Sequence, residues 1–200
     1  IYDFQTDRPP ALVPRERRVE VDERGTGGGE VLRPLADGEI ARVVEEVRAA
    51  EVDSVAVCLL FSFLAPEHER QLGLALRAAM PNLLVSLSQE GQPEFREYER
   101  LSTTVLNAYL QPVMDSYLAT LEGGLGRLAP PARLGINQSS GGLISVRRAA
   151  RLPVRTALSG PAAGIAGGGA TGRGAGLAGL ITPETGCLLL TSSPPRDARR

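Results

Sequence analysis

Ser54-Val55-Ala56-Val57-Cys58-Leu59-Leu60-Phe61 is a near-continuous apolar run, and Leu83-Leu84-Val85-Ser86-Leu87 is a second, shorter one. Between them Pro66 opens a stretch in which Leu72, Leu76, Ala79 and Met80 share one helical face. A strand that is apolar at every position has both faces covered, whereas a half-solvated strand alternates. This strand–helix–strand rhythm predicts an α/β fold: a mainly parallel or mixed sheet with covering helices.

Upstream, Asp37 is placed to cap a helix whose Ile40, Val43, Val44 and Val47 fall on one face. Arg18-Val19-Glu20-Val21 alternates like a half-buried strand. Residues 1–35 are otherwise extended, punctuated by Pro9, Pro10 and Pro14 and by Gly25, Gly27, Gly28 and Gly29. The glycine cluster has no following Lys-Ser/Thr and no buried strand before it, so it reads as a hairpin or surface turn rather than a phosphate loop.

Downstream, residues 94–121 have helical period but contain Pro112, which predicts two helices or a kink near Leu110–Pro112. Phe95, Tyr98, Leu101, Val105 and Tyr109 form a stripe expected in the core, and Gly123-Gly124-Leu125-Gly126 is expected to stop the second segment. Residues 133–138 read as a strand, Ser139-Ser140-Gly141-Gly142 as a turn at its carboxyl end, and 143–151 as a short helix left at Pro153. The glycines from Gly160 to Gly176 permit a helix to approach another backbone closely, while each weakens it by about 1 kcal/mol relative to alanine.

Two hundred residues suit one domain, or one domain and part of another. With 42% hydrophobic and 22% charged residues the chain is not globally disordered, and a net charge of −1 gives no argument for nucleic acid or membrane binding. Arg196, Arg199 and Arg200 make a basic tail that reads as solvated. Two cysteines and one histidine do not build a structural zinc site, and no metal site is expected. Cys58 reads as a small buried hydrophobe in a reduced, cytoplasmic protein, and no signal peptide or apolar span of about 20 residues is present.

Four features carry possible chemistry. Ser159-Gly160-Pro161 has proline where a helix can begin and serine where it can cap. It reads either as a contact for nucleotide phosphate or as a capped, tightly packed helix start; no His or Lys near Ser159 supports a nucleophile. Glu94, Arg96, Glu97, Glu99 and Arg100 form a dense charge cluster, readable as a solvated face or, for Arg96, Glu97 and Arg100, as a structural charge network or lobe interface. Ser102, Thr103, Thr104 and Asn107 add mid-helix polar groups that raise the case for an interface or site. His68, the sole histidine, reads as exposed and incidental.

Six segments in order resemble the hydantoinase A/5-oxoprolinase family: Arg8–Arg15, Val55–Cys58, Pro66–Arg70, Glu94–Tyr109, Gln138–Leu143 and Pro153–Thr156 running into Ser159–Gly164. The resemblance implies part of an actin-like (ribonuclease H-like) ATPase lobe using ATP and Mg²⁺. It implies a cyclic amide substrate, of 5-oxoproline or hydantoin type, and a hydantoinase B-type partner subunit or domain. Related subunits carboxylate ketones with ATP. If a nucleotide contact is kept, it is expected at Ser159, Gly160, Pro161 and Gly164, with Ser139, Gly141 and Gly142 next, because small-residue turns at strand ends let amides face an anion. Catalytic residues stay unassigned.

The family's second Asp-x-Gly-Gly-Thr phosphate motif is absent where the chain reads Ile181-Thr182-Pro183-Glu184-Thr185-Gly186-Cys187. The expectation is therefore an incomplete fragment, inactive alone and binding ATP weakly or not at all. It comprises an extended piece of a preceding domain (1–35), a partial hydantoinase A-like α/β domain (36–182) and a divergent, disordered tail (183–200). A non-catalytic interaction module is the alternative.

Overall fold

The computed structural model describes residues 10–129, 133–177, 180–183 and 189–192. Arg8, Pro9, Cys187 and the arginines of the basic tail lie outside them. The chain divides into two compact units, residues 1–112 and 113–200.

The first unit begins with a short 3-10 helix at Arg15–Arg17. β1 (Arg24–Gly25) and β2 (Val31–Arg33) then pair as an antiparallel hairpin. The turn carries the glycine cluster, with Thr26 Oγ1 accepting the amides of Gly28 and Glu30, so the hairpin reading holds. Val19 and Val21 pack against the core, but residues 18–22 lie in no strand. α1 (Asp37–Ala49) buries Val43, Val44 and Val47. Its N-cap is Ala36, and Asp37 is the first helical residue without a capping bond; the acid stabilises the first turn by position alone.

β3 (Ser54–Val57), α2 (Glu67–Ala79) and β4 (Leu84–Leu87) form the expected unit, with Ser54 opposite Leu84 and Val57 opposite Leu87 in a parallel ladder. Leu72 and Leu76 of α2 are 1% exposed against Val57, Val85 and Leu87. Truncating either to alanine costs about 2–5 kcal/mol. Gly73 sits where α2 meets β4: a Cβ there would lie 3.0 Å from both methyls of Leu87.

The expected strand over 54–61 stops at Val57. Phe61 adopts φ +59°, and the amides of Ser62 and Leu64 turn back onto the carbonyls of Leu59 and Phe61. The Leu59 amide goes to the Glu69 side chain at 2.9 Å, so it is lost to a ladder.

β4 leads into α3 (Ser88–Gly91) and then α4 (Glu97–Leu128), one helix of 32 residues with Pro112 inside it. Two helices were one of the sequence readings here. The helix also runs through Gly123, Gly124 and Gly126, where an added Cβ would meet nothing within 4 Å. Glycine weakens a helix without ending it.

The aromatic stripe is a larger correction. Phe95, Tyr98, Leu101 and Tyr109 are 67%, 78%, 46% and 77% exposed, and only Val105 is partly covered. The buried face of α4 carries Arg100, Thr104, Asn107, Ala108 and Gln111 instead.

In the second unit β5 (Gly135–Asn137) and β6 (Leu143–Ser145) form an antiparallel hairpin. The helix expected from Leu143 starts later, as α5 (Val146–Arg151), because Ser145 caps it by accepting the Arg148 amide. Leu118, Val146 and Ala149 are its buried centre, flanked by Met114, Leu134, Ile136 and Ile144. A 3-10 turn at Pro153–Thr156 precedes α6 (Ser159–Gly174). β7 (Leu180–Pro183) and β8 (Leu189–Ser192) then pair antiparallel, β8 falling within the segment expected to be a tail. The described strands thus form two-stranded ladders, one parallel and three antiparallel, rather than one mixed sheet.

Candidate functional site

The chain segments leaving the carboxyl ends of β3 and β4 are joined by a buried polar network. In open α/β folds ligands bind at this end. Glu69 occupies the third position of α2, in helical register with Leu72 and Leu76, and is fully buried. Its Oε1 accepts the Leu59 amide at 2.9 Å and the Ser88 hydroxyl at 2.7 Å, and Oε2 accepts the Gln89 amide at 3.0 Å. Ser88 in turn accepts from Ser62, 3.1 Å away. One carboxylate therefore ties the chain leaving β3 to the chain leaving β4.

Arg100 is also fully buried, with Nη1 on the Glu94 carbonyl at 2.8 Å and Nη2 on the Leu59 carbonyl at 2.9 Å. Its guanidinium lies 5.2 Å from the centre of the Phe63 ring, a cation–π distance. Nε has no partner. Further along α4, Asn107 Nδ2 donates to Ser86 Oγ, which donates to Gln111 Oε1, both at 2.9 Å. Of the charge cluster, Arg100 is thus a structural cation, whereas Arg96 and Glu99 form a solvated pair at 3.6 Å. Glu97 is exposed at the helix start.

Cys58 is half-buried beside this network. Burial pushes its thiol up, against the opposing pull of the Ser88 hydroxyl and the Arg100 charge. It is held as a thiol, not as a poised nucleophile.

His68 corrects the sequence reading. Its side chain is 13% exposed and bonds through Nδ1 to Glu23 Oε2 at 2.6 Å, with Glu23 only 6% exposed. The Leu35 amide approaches Nε2 at 3.4 Å, which places the ring proton on Nδ1. The pair borders a cavity of about 330 Å³ with walls from Gly25, Gly29, Val31, Leu59, Leu60 and Leu64. Among the described residues no group of three His, Cys, Asp or Glu side chains is arranged to hold a metal, and no helix is long and apolar enough to cross a membrane.

The turns singled out from sequence lie in the second unit. Ser139 gives both its amide and its hydroxyl to the Arg155 carbonyl, at 2.8 and 3.0 Å. That bond brings the β5–β6 turn to the segment just ahead of α6. Gly141 and Gly142 take φ +86° and +80°, with open space where a Cβ would stand. Ser159 is the first residue of α6 rather than its cap; that place belongs to Leu158, left-handed at φ +57° and making no capping bond. Pro161 has no N–H, so the amides of Ser159 and Gly160 are the exposed donors of the first turn. Gly164 lies one turn further into α6 and is partly covered. Added Cβ atoms at Gly160, Gly167 and Gly174 would meet nothing within 4 Å, so these three do not serve the close packing expected of them.

Sequence reasoning passed over Glu23, Ser62, Glu69 and Ser88. The available signal was Glu69 itself, a charge at a core position of an amphipathic helix.

The chain is similar to known proteins along most of its length. Residues 1–80 match the model of the hydantoinase/oxoprolinase N-terminal region, and 100–187 match that of hydantoinase/oxoprolinase. The caprolactamase subunit alpha of Pseudomonas jessenii is 33% identical over 92% of this chain and 27% of that subunit. The 5-oxoprolinase of Saccharomyces cerevisiae is 32% identical over 70% of this chain and 11% of its own length. The acetone carboxylase beta subunit of Xanthobacter autotrophicus is 26% identical over 79% and 22%. The crystal structure of the ATP-dependent caprolactamase superposes with a TM-score of 0.77 at 32% identity, covering 90% of this chain and 26% of that one. An acetone carboxylase structure shares the fold, with a TM-score of 0.73 at 24% identity over 88% and 25%. This chain spans about a quarter of the caprolactamase subunit's length. It belongs to the hydantoinase/oxoprolinase family.

Proposed function

We propose that this chain is part of an ATP-dependent enzyme that opens cyclic amides of the 5-oxoproline or hydantoin type. The observation that carries the reading is the match in fold and sequence to an ATP-dependent caprolactamase over 90% of the chain. In this reading the chain contributes to an actin-like ATPase lobe in a cytoplasmic enzyme that works with a hydantoinase B-type partner subunit; the caprolactamase relative is itself named as a subunit. Phosphoryl transfer from ATP to the amide oxygen would make the ring carbonyl carbon a better electrophile: one water adds, the C–N bond breaks with the ring nitrogen leaving as the protonated amine, and a second water releases phosphate from the resulting acyl phosphate.

The glycines at positive φ and the uncapped start of α6 support a nucleotide contact along Ser139, Gly141, Gly142 and Ser159–Gly164. Mg²⁺ would bind there together with the nucleotide phosphates. The 200 residues alone are proposed to be inactive. The similarity to an acetone carboxylase subunit favours a second reading, ATP-dependent carboxylation of a ketone.

ADP release by the full-length protein with its partner subunit decides between them. Stimulation by 5-oxoproline, hydantoin or caprolactam is expected. Stimulation by acetone and bicarbonate alone would replace the first reading with the second.

A further inference from the structure

The cavity beside His68 and Glu23 has one polar edge and apolar walls. We propose that it binds a small cyclic amide, with the ring N–H donated to the free carboxylate oxygen of Glu23. This rests on the cyclic-amide reading above and gives it a location in the first unit.

The Glu23 side chain is 6% exposed, and His68 holds its Oε2. The His68 bond is the one side-chain contact Glu23 makes among the described residues, which leaves Oε1 without a partner there, and Glu23 lines the cavity. A desolvated acceptor with a vacant lone pair favours a ligand N–H. The same space is bordered by Glu67 and His68, the first residues of α2. No side chain caps that helix, and its first backbone bond is from Arg70 to Pro66. The start of α2 therefore sets donors beside the Glu23 acceptor.

A small lactam is locked in the cis amide, which puts its N–H and C=O on one edge and its methylenes on the other. The polar edge suits Glu23 and the start of α2, and the methylene edge suits Val31, Leu59, Leu60 and Leu64, all of which line the cavity. The volume of about 330 Å³ lies at the lower end of small-molecule sites. An ammonium ion is the competing ligand: Glu23 and Glu67 favour it, the positive end of the α2 dipole disfavours it, and the amine titration decides between them.

The sole histidine makes the test direct, because every imidazole signal in the NMR spectrum belongs to His68. The whole chain is titrated with ε-caprolactam, N-methylcaprolactam and cyclohexylamine. Caprolactam is expected to shift the His68 signals saturably, and the N-methyl compound, which lacks the donor, to bind at least roughly 10-fold more weakly. In Glu23→Gln the His68 proton keeps the amide oxygen, which turns NH₂ towards the cavity. Donor then faces donor, and affinity falls by roughly the same factor. Leu64→Trp fills the cavity from a residue that is 50% exposed and leaves the unfolding transition in place.

Equal binding of both lactams, tighter binding of the amine, or no shift with caprolactam in the folded chain each overturns the proposal. The activity reading fails separately. Lactam-stimulated ADP release by the full-length protein with its partner subunit that ignores both variants sinks the site and keeps the function. Lactam binding without any stimulation does the reverse.

Discussion

The two faces of α4 between Glu97 and Gln111 invert the usual arrangement. The inner face presents Arg100, Thr104, Asn107 and Gln111, each no more than 4% exposed, while the outer face presents Tyr98, Leu101, Leu106 and Tyr109. The inner face is stable because nearly every polar atom has a partner: two carbonyls for Arg100, its own Arg100 carbonyl for the Thr104 hydroxyl, Ser86 for Asn107 and Gln111. Hydropathy selects burial only where nothing else supplies hydrogen bonds, and here β4 and the loop after β3 supply them.

The comparison breaks most sharply at Arg100. Arg100→Ala leaves the Glu94 carbonyl unpaired, leaves the Leu59 carbonyl with the Ser62 amide alone, and opens a void under Phe63, at a cost of about 3 kcal/mol or more in urea unfolding. A loss below about 1 kcal/mol would mean the inner face is not held as described. Glu69→Ala strips acceptors from the Leu59 and Gln89 amides and the Ser88 hydroxyl, and is expected to cost about 2–3 kcal/mol. Hydrogen exchange at Leu59 and Gln89 should accelerate in that variant and stay slow in Leu74→Ala, a surface control that is 67% exposed.

The outer face should respond little. Tyr98→Ser and Tyr109→Ser should each change stability by within about 0.5 kcal/mol, and a larger loss would show that the outer face is covered. Smallest is a pH effect on α1. Arg42, with the Asp22 amide, holds the Glu39 carboxyl down at about 2, against an ordinary 4.5. A depressed carboxyl stabilises the folded state above its unfolded pKa, and the contribution disappears as pH falls through the folded value. Glu39→Gln should therefore flatten the pH dependence of stability between 4.5 and about 2 and leave it unchanged near neutrality.

The β3–α2–β4 unit was legible because its apolar runs and 3.6-residue period have one physical solution, a covered parallel pair. The glycine hairpin was legible for the same local reason. α4 was not, since periodicity assigns the apolar stripe to the core, and no pattern in one sequence reveals that Ser86, Leu59 and Glu94 await polar partners. Nor could spacing bring Glu23 to His68, which lie 45 positions apart. Gly123, Gly124 and Gly126 mislead in the opposite direction: local cost reads as a boundary, and a long helix absorbs it.

Gly73 sets a rule for anyone engineering this chain. Replacing a mid-helix glycine by alanine is a routine route to thermostability, worth about 1 kcal/mol. At Gly73 the new methyl would land 3.0 Å from both methyls of Leu87, so the exchange gains only as far as that side chain gives by a few tenths of an ångström. The same exchange at Gly123, Gly124 and Gly126 meets open space and is free to proceed. A missing carbon atom acts at Gly73 as a spacer matched to the width of a leucine, so a mutational library should vary Gly73 only together with Leu87 and spend its diversity on the far end of α4.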